Sequence, residues 1–413
     1  MTKLEAFLKK VYETNEFYQN IVKEYNITDP TDITQYPILT RQQLQENRYN
    51  MFSKGYKSKY YYQRLRRQVS SGSSGVPVNV YWDYKNWYAS NLSLWRRRQQ
   101  WYGIKPNDRY VIFTLNAFNL QAERGKVYYI NEEKNLLSIN VSLLQSESSY
   151  EHLAELINEF SPKWLYIQPF VLNKLIQVYR RTGKKPPKTL EYIESVGELL
   201  ASDLKRRAIE LFEVPLANMY GSEEMNGIAY ECPRHHMHVL EDNVLLEVNN
   251  NNSFIRAGAG DAIVTNLNNI CMPLIRYDQG DKIIIKTQVG SCDCGDDSTI
   301  VDLIKGRSHE CICLENEYEV NTFILSELVA EANNQLNDII KAFKFEYKKS
   351  AKRLICLLYL EEDDRLWLPT VKEELKTMFL KKILPQEDIS FEIDNMTNKQ
   401  INSKKVKSFE IVE

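Results

Sequence analysis

The run Val69-Ser70-Ser71-Gly72-Ser73-Ser74-Gly75-Val76-Pro77 sets four hydroxyls and two glycines in a stretch too small to pack a core. Small residues let backbone N–H groups turn toward an anion, so the run has the chemistry of a phosphate cradle. A flexible linker has the same composition, and the run alone does not choose between them. A second chemistry-bearing set lies downstream. Cys232 and His238 fall in Glu231-Cys232-Pro233-Arg234-His235-His236-Met237-His238, and Cys292-Asp293-Cys294-Gly295 follows much later. Three thiols and one imidazole complete a closed tetrahedral zinc shell, with His235 and His236 as alternative ligands. Buried thiols beside an exposed histidine turn are the plainer alternative.

The 413 residues, 43% hydrophobic and 26% charged, have ordinary globular composition and length for two or three domains. A net charge of -2 supplies no global basic field, so nucleic acid is not an expected partner. No apolar run is long enough to span a bilayer. Met1-Thr2-Lys3-Leu4-Glu5 opens an amphipathic helix rather than the apolar core of a signal peptide, which points to the cytoplasm. All seven cysteines lie at or beyond Cys232; in a reducing compartment they suit metal binding or burial better than a disulfide framework.

The elements that must position these residues follow from hydrophobic spacing. Residues 4–25 read as helix and turn, and Thr40-Arg41-Gln42-Gln43-Leu44 as a capped helix start. Val78 to Trp82 alternates as a strand does, and Asp83 to Tyr102 has helical spacing. Strand-like runs at 110–113, 136–139, 164–167 and 192–196 alternate with helical stretches at 150–159 and 170–182. That alternation argues for an α/β domain with a largely parallel sheet. From about Val239 the pattern becomes hairpin-rich, and the last hundred residues read as a compact α+β unit with helices near 322–336 and 369–380 around a strand at 353–360. The expected division is 1–309 and 310–413.

Three further segments accompany the Ser/Gly run in order: Met219-Tyr220-Gly221-Ser222-Glu223-Glu224, Ile275-Arg276-Tyr277-Asp278-Gln279-Gly280-Asp281, and Ile304-Lys305-Gly306-Arg307-Ser308-His309-Glu310. Together they resemble the adenylate-forming ligases, a superfamily of acyl-CoA synthetases and peptide-synthetase adenylation domains. The phenylacetate-CoA ligases look like the nearest branch, and the segment from Glu16 through Leu44 is similar to that branch's amino terminus. The resemblance covers essentially the whole chain. It implies a large amino-terminal α/β domain with a β-rich subdomain and a small mobile α+β carboxy-terminal domain.

The resemblance also implies roles. Ser70, Ser71, Gly72, Ser73, Ser74 and Gly75 would hold the β,γ-phosphates of ATP, although Val78 stands where other members place a lysine. Gly197 and Glu198, after Ser195-Val196, match the strand end where adenine rests. Tyr220, with Gly221 and Ser222, would face the base, and Glu224 matches the Mg²⁺ glutamate. Glu223 occupies the usual threonine position, which leaves open which glutamate binds the metal. Asp281 matches the acceptor for both ribose hydroxyls, a task for a two-oxygen group. Arg307 matches a nucleotide-contacting arginine, for which a planar fork of donors is suited. Glu310 replaces the hinge aspartate. In Ser403-Lys404-Lys405-Val406-Lys407, Lys405 falls on the catalytic lysine, with Lys404 one residue away as the alternative. The phenylacetate-CoA ligase branch looks similar at Cys232, His238, Cys292 and Cys294, which favours structural Zn²⁺ there.

The implied reaction has two steps. ATP·Mg²⁺ and a carboxylic acid give an acyl-adenylate and pyrophosphate; after rotation about Glu310 a thiol displaces AMP. The branch suggests an aryl acid, for example a hydroxybenzoic acid. The acceptor would be the phosphopantetheine thiol of a carrier protein, as in aryl-acid activators of siderophore assembly of the 3,4-dihydroxybenzoate–AMP ligase type, or coenzyme A, as in an aryl-CoA ligase. A catalytically silent nucleotide-binding protein is the alternative from another class. The specific acid and the oligomeric state are not legible.

Overall fold

The computed structural model describes residues 1–69, 78–114, 126–144, 146–250, 253–286, 292–307, 311–313, 319–321, 342–360, 362–382, 390–395 and 409–412, with scattered positions between 325 and 340. Helices α1 (Lys3–Thr14) and α2 (Glu16–Glu24) open the chain. Asn15 divides them, ending the first and capping the second by accepting from the Tyr18 N–H. The helical spacing is therefore correct but the helix is two. Next come α3 (Arg41–Asn47), started by a Thr40–Gln43 capping box, and α4 (Tyr56–Tyr61). Strands β1 (Arg66–Val69) and β2 (Asn79–Trp82) pair antiparallel on either side of the Ser/Gly run. Helix α5 (Tyr84–Tyr102) follows. The run itself, Ser70 to Gly75 included, lies outside the described residues.

Residues 107–216 contribute β3 (Tyr110–Thr114), β4 (Tyr128–Asn131), β5 (Leu136–Asn140), α6 (Glu147–Phe160), β6 (Trp164–Ile167), α7 (Pro169–Thr182), β7 (Tyr192–Val196) and α8 (Ser202–Phe212). Their sheet order is β7-β6-β3-β5-β4. The pairs of β3 with β5, β3 with β6, and β6 with β7 are parallel, as the strand–helix alternation predicts. One face, through Val111, Phe113, Leu137, Ile139, Leu165 and Ile193, packs with apolar side chains of α6 and α7.

Residues 216–307 give β8 (Leu216–Ser222), β9 (Asn226–Glu231), β10 (Met237–Val239), β11 (Val244–Asn250), β12 (Ser253–Ile255), β13 (Gly258–Asn266), β14 (Tyr277–Lys286) and β15 (Ile300–Arg307). They run in the order β12-β11-β13-β14-β15-β10-β9-β8. The β11–β13 pair, in the stretch where the sequence pattern becomes hairpin-rich, is antiparallel. Here α1 to α3 share a core with the strands through Leu8, Leu39, Leu44, Val264, Ile275 and Tyr277.

The carboxy-terminal segment adds a ribbon of β16 (Cys311–Cys313) and β17 (Glu319–Asn321). It continues with β18 (Ala342–Lys348), β19 (Arg353–Tyr359), α9 (Leu368–Lys382), β20 (Ser390–Asn395) and β21 (Phe409–Val412), in a sheet ordered β20-β19-β18-β21. Phe345, Leu354, Leu358, Leu375 and Phe379 form a core of their own there. By compactness the chain divides into Met1–Pro106 with Ala217–Ile304, and Asn107–Leu216 with Lys305–Glu413. Among the described residues no helix is long and apolar enough to cross a membrane.

Candidate functional site

Two of the sequence motifs meet side chain to side chain. From β14, alternate residues reach β8 and the turn after it: Tyr277 donates to Glu224 Oε1 (3.3 Å), Gln279 Nε2 to the Ser222 hydroxyl (2.7 Å), and Tyr220 donates back to Asp281 Oδ2 (2.8 Å). Tyr277, Gln279 and Asp281 alternate along β14, and their partners run the other way from the turn at Glu224 back to Tyr220 on β8, so the motifs meet antiparallel, rung by rung. β8 and β14 are not neighbours in the sheet order, so this join is made by side chains alone. Tyr220, Glu224 and Asp281 are all buried.

The close fit has a backbone cause. At Gly221 an added Cβ would overlap the Asn226 carbonyl oxygen and lie 3.1 Å from Met219 Sδ. Only glycine lets β8 turn tightly onto β9 here. Glu223, beside it, accepts from Gln68 Nε2 at 3.0 Å, and the same amide reaches Asn226 Oδ1 at 3.1 Å. Gln68 lies on β1, two residues before Ser70. Strand β1 and the Glu223–Glu224 turn are thus tied directly. Desolvation, with the neighbouring Glu224 charge, raises the Glu223 carboxyl above the ordinary range against the pull of Gln68.

Gly197 and Glu198 follow β7 in the other unit. Glu198 accepts from the Phe170 N–H in the first turn of α7 at 3.2 Å. Nearby, Gln168 Nε2 donates to the Phe113 carbonyl at 3.0 Å, which fixes the amide at the carboxyl ends of β3 and β6. Arg307 is the last residue of β15, and its side chain lies outside the described part. Glu310, Lys404 and Lys405 also lie outside the described residues.

With this geometry in view, comparison with known proteins is informative at the level of fold. No protein-family model matches the sequence, and no curated protein matches it. Solved structures do match. The chain superposes over 100% of its length on 88% of 2-hydroxyisobutyryl-CoA ligase in the postadenylation state with R3-HIB-AMP, at a TM-score of 0.74 and 15% identity. The fold is that of an acyl-CoA ligase. The anthranilate CoA ligase in complex with anthranoyl-AMP aligns with 80% of this chain and 62% of its own, at TM-score 0.55 and 14% identity. A benzoate CoA ligase from Burkholderia xenovorans LB400 aligns with 77% and 63%, at TM-score 0.50 and 15% identity. The α/β class expected from the sequence is the one this ligase fold has.

The ligase fold also brings the Cys/His set together. One ligand atom from each of Cys232, His238, Cys292 and Cys294 lies within 4.8 Å of the others. His238 Nε2 faces Cys294 Sγ at 3.3 Å, while its Nδ1 faces the Ser298 carbonyl at 3.3 Å and Asp296 Oδ1 at 3.4 Å. That is the orientation a metal-binding imidazole takes, one nitrogen inward and the other on an oxygen acceptor. Arg97 of α5 holds Asp296 at 2.8 Å. Gly295 turns the chain with φ +83°, a conformation that suits glycine after a C-x-C pair. Of the alternative ligands, His236 Nδ1 contacts Cys292 Sγ at 3.1 Å, whereas His235 is exposed and pairs with Glu231 at 3.0 Å. The donor set fits zinc in type and number. Asp296 and Arg97 are supporting residues that the sequence reading missed; they carry no motif, and only the fold sets them behind His238.

Proposed function

We propose that the protein is an adenylate-forming acid–thiol ligase. The observation that carries this is the rung-by-rung join of Tyr220, Ser222 and Glu224 with Asp281, Gln279 and Tyr277, in a chain with an acyl-CoA ligase fold. In this reading Asp281 receives the ribose hydroxyls, aimed by Tyr220, and Gly197, Glu198, Gly221 and Ser222 line the base and α-phosphate. Ser70, Ser71, Gly72, Ser73, Ser74 and Gly75 hold the departing pyrophosphate, and Arg307 contacts the nucleotide.

Glu224, or Glu223 beside it, would hold Mg²⁺, a hard cation that carboxylate oxygens suit. When bound, Mg²⁺ neutralises the phosphates during transfer. The region 310–413, whose segment around α9 has its own core, carries Lys405 on our assignment. Lys405 stabilises charge while the acid's carboxylate oxygen bonds to the α-phosphorus and the bond from α-phosphorus to the bridging oxygen breaks. The thiol then attacks the acyl carbon and AMP leaves. Cys232, His238, Cys292 and Cys294 would hold Zn²⁺ as a structural clasp, since four protein ligands leave no position open for substrate.

We assign the acceptor as the phosphopantetheine thiol that coenzyme A and carrier proteins share. The acid is proposed to be an aryl acid of hydroxybenzoate type, as in siderophore assembly; two of the similar structures are aryl-CoA ligases, of anthranilate and of benzoate. Acid-dependent pyrophosphate release over a panel of aryl and aliphatic acids tests the reading. Release with at least one acid is expected, and silence across the panel with folded protein would reject it in favour of a nucleotide binder without catalysis.

A further inference from the structure

Residues 68–84 contain no lysine or arginine; Arg66 and Arg67 on β1 precede the Ser/Gly run, and Arg66 acts on the Glu223 carboxyl. A second described cation reaches the neighbouring Glu224 from the amino-terminal segment. Arg41, the first residue of α3, sets Nη1 3.6 Å from Glu224 Oε1, the oxygen that also accepts from Tyr277. The placement is firmly built. Leu39 pairs with Tyr277 as a parallel bridge, its N–H donating to the Arg276 carbonyl (2.9 Å) and its carbonyl accepting from the Asp278 N–H (3.0 Å). The Thr40–Gln43 capping box then starts α3, and Leu39 and Leu44 are buried on either side of Arg41. The backbone therefore delivers this guanidinium to Glu224 by way of β14.

The distance matters. Charge-assisted hydrogen bonds close to about 2.7–2.9 Å, and bidentate arginine–carboxylate forks are the tightest of them. At 3.6 Å the Arg41–Glu224 pair is a charge contact and not a hydrogen-bonded fork. A triphosphate with its metal at Glu224 would supply a second anion within reach.

Resting on the reading of Glu224 as the Mg²⁺ carboxylate, we propose that Arg41 is a cation of the phosphate site. It aims Glu224 before nucleotide binds and shares its charge with the β,γ-phosphates of ATP afterwards. A purely structural tie between α3 and the β8–β9 turn is the competing account, since ion pairs of this kind often contribute little.

Equilibrium binding of ATP·Mg²⁺ and of AMP to the full chain, with Arg41→Ala and Arg41→Lys, separates the two. Loss of a charged hydrogen-bond partner corresponds to about 10- to 100-fold in affinity. Arg41→Ala is expected to weaken ATP·Mg²⁺ by that factor while AMP, which lacks the β,γ-phosphates, binds as before. Arg41→Lys should recover most of the loss. Equal weakening of ATP and AMP in a variant that unfolds at the wild-type temperature would overturn the assignment, as would no change in either. If the wild-type protein binds neither nucleotide, the ligase reading falls first and Arg41 falls with it.

Discussion

Tyr220 and Asp281, 61 residues apart in sequence, are joined by a hydrogen bond of 2.8 Å between two buried side chains. The bond fixes one carboxylate oxygen at the end of a three-rung join between two motifs. Tyr220→Phe deletes one hydrogen bond to a carboxylate, which costs about 1.5–3 kcal/mol. Chemical denaturation is expected to show a loss in that range. Nucleotide titration should show weaker AMP binding, because the carboxylate proposed for the ribose is no longer aimed.

Gly221 tests how closely the turn must approach its neighbour. The Cβ of Gly221→Ala would meet backbone at Asn226, which cannot swing aside as a flexible side chain can. Overpacking of this sort costs about 1–3 kcal/mol. A lower melting temperature with displaced amide resonances for Ser222 to Asn226 is expected. An unaltered melting temperature would show that the β8–β9 turn has room for a methyl group.

How much of this was legible in the sequence differs by element. The parallel strands β5, β6 and β7 are short runs buried at nearly every residue, and β3 alternates buried and half-buried ones; short runs of this kind between helices are what sequence periodicity detects. The break between α1 and α2 was not legible. Asn15 earns its place partly through Nδ2, which donates to the Met51 carbonyl at 2.8 Å, a contact 36 residues away. Arg41 was read only as the start of a capped helix, because its partner Glu224 lies far along the chain. The motifs themselves stood out, but spacing gave no sign that they would join through alternate side chains.

The Cys/His cluster gives a prediction in metal content. Purified protein is expected to hold about one zinc per chain, and Cys292→Ser should lose it. Asp296→Ala removes one of the acceptors facing His238 Nδ1, leaving the Ser298 carbonyl, without touching a ligand. Supporting residues of this kind typically change metal affinity by about 10- to 100-fold. Competition with a chromophoric chelator should reveal a loss of that size, and wild-type affinity in Asp296→Ala would exclude the supporting role.

The account's central claim is that this chain joins a carboxylate to AMP. Mass-spectrometric detection of acyl-adenylate, in incubations with ATP·Mg²⁺ and the best acid of the panel, tests it most directly when wild type and Lys405→Ala are compared. The wild type should accumulate the adenylate in the absence of thiol, and Lys405→Ala should form almost none while still binding ATP. Equal amounts of adenylate in both would contradict the assignment of Lys405, and its absence from both would contradict the ligase itself.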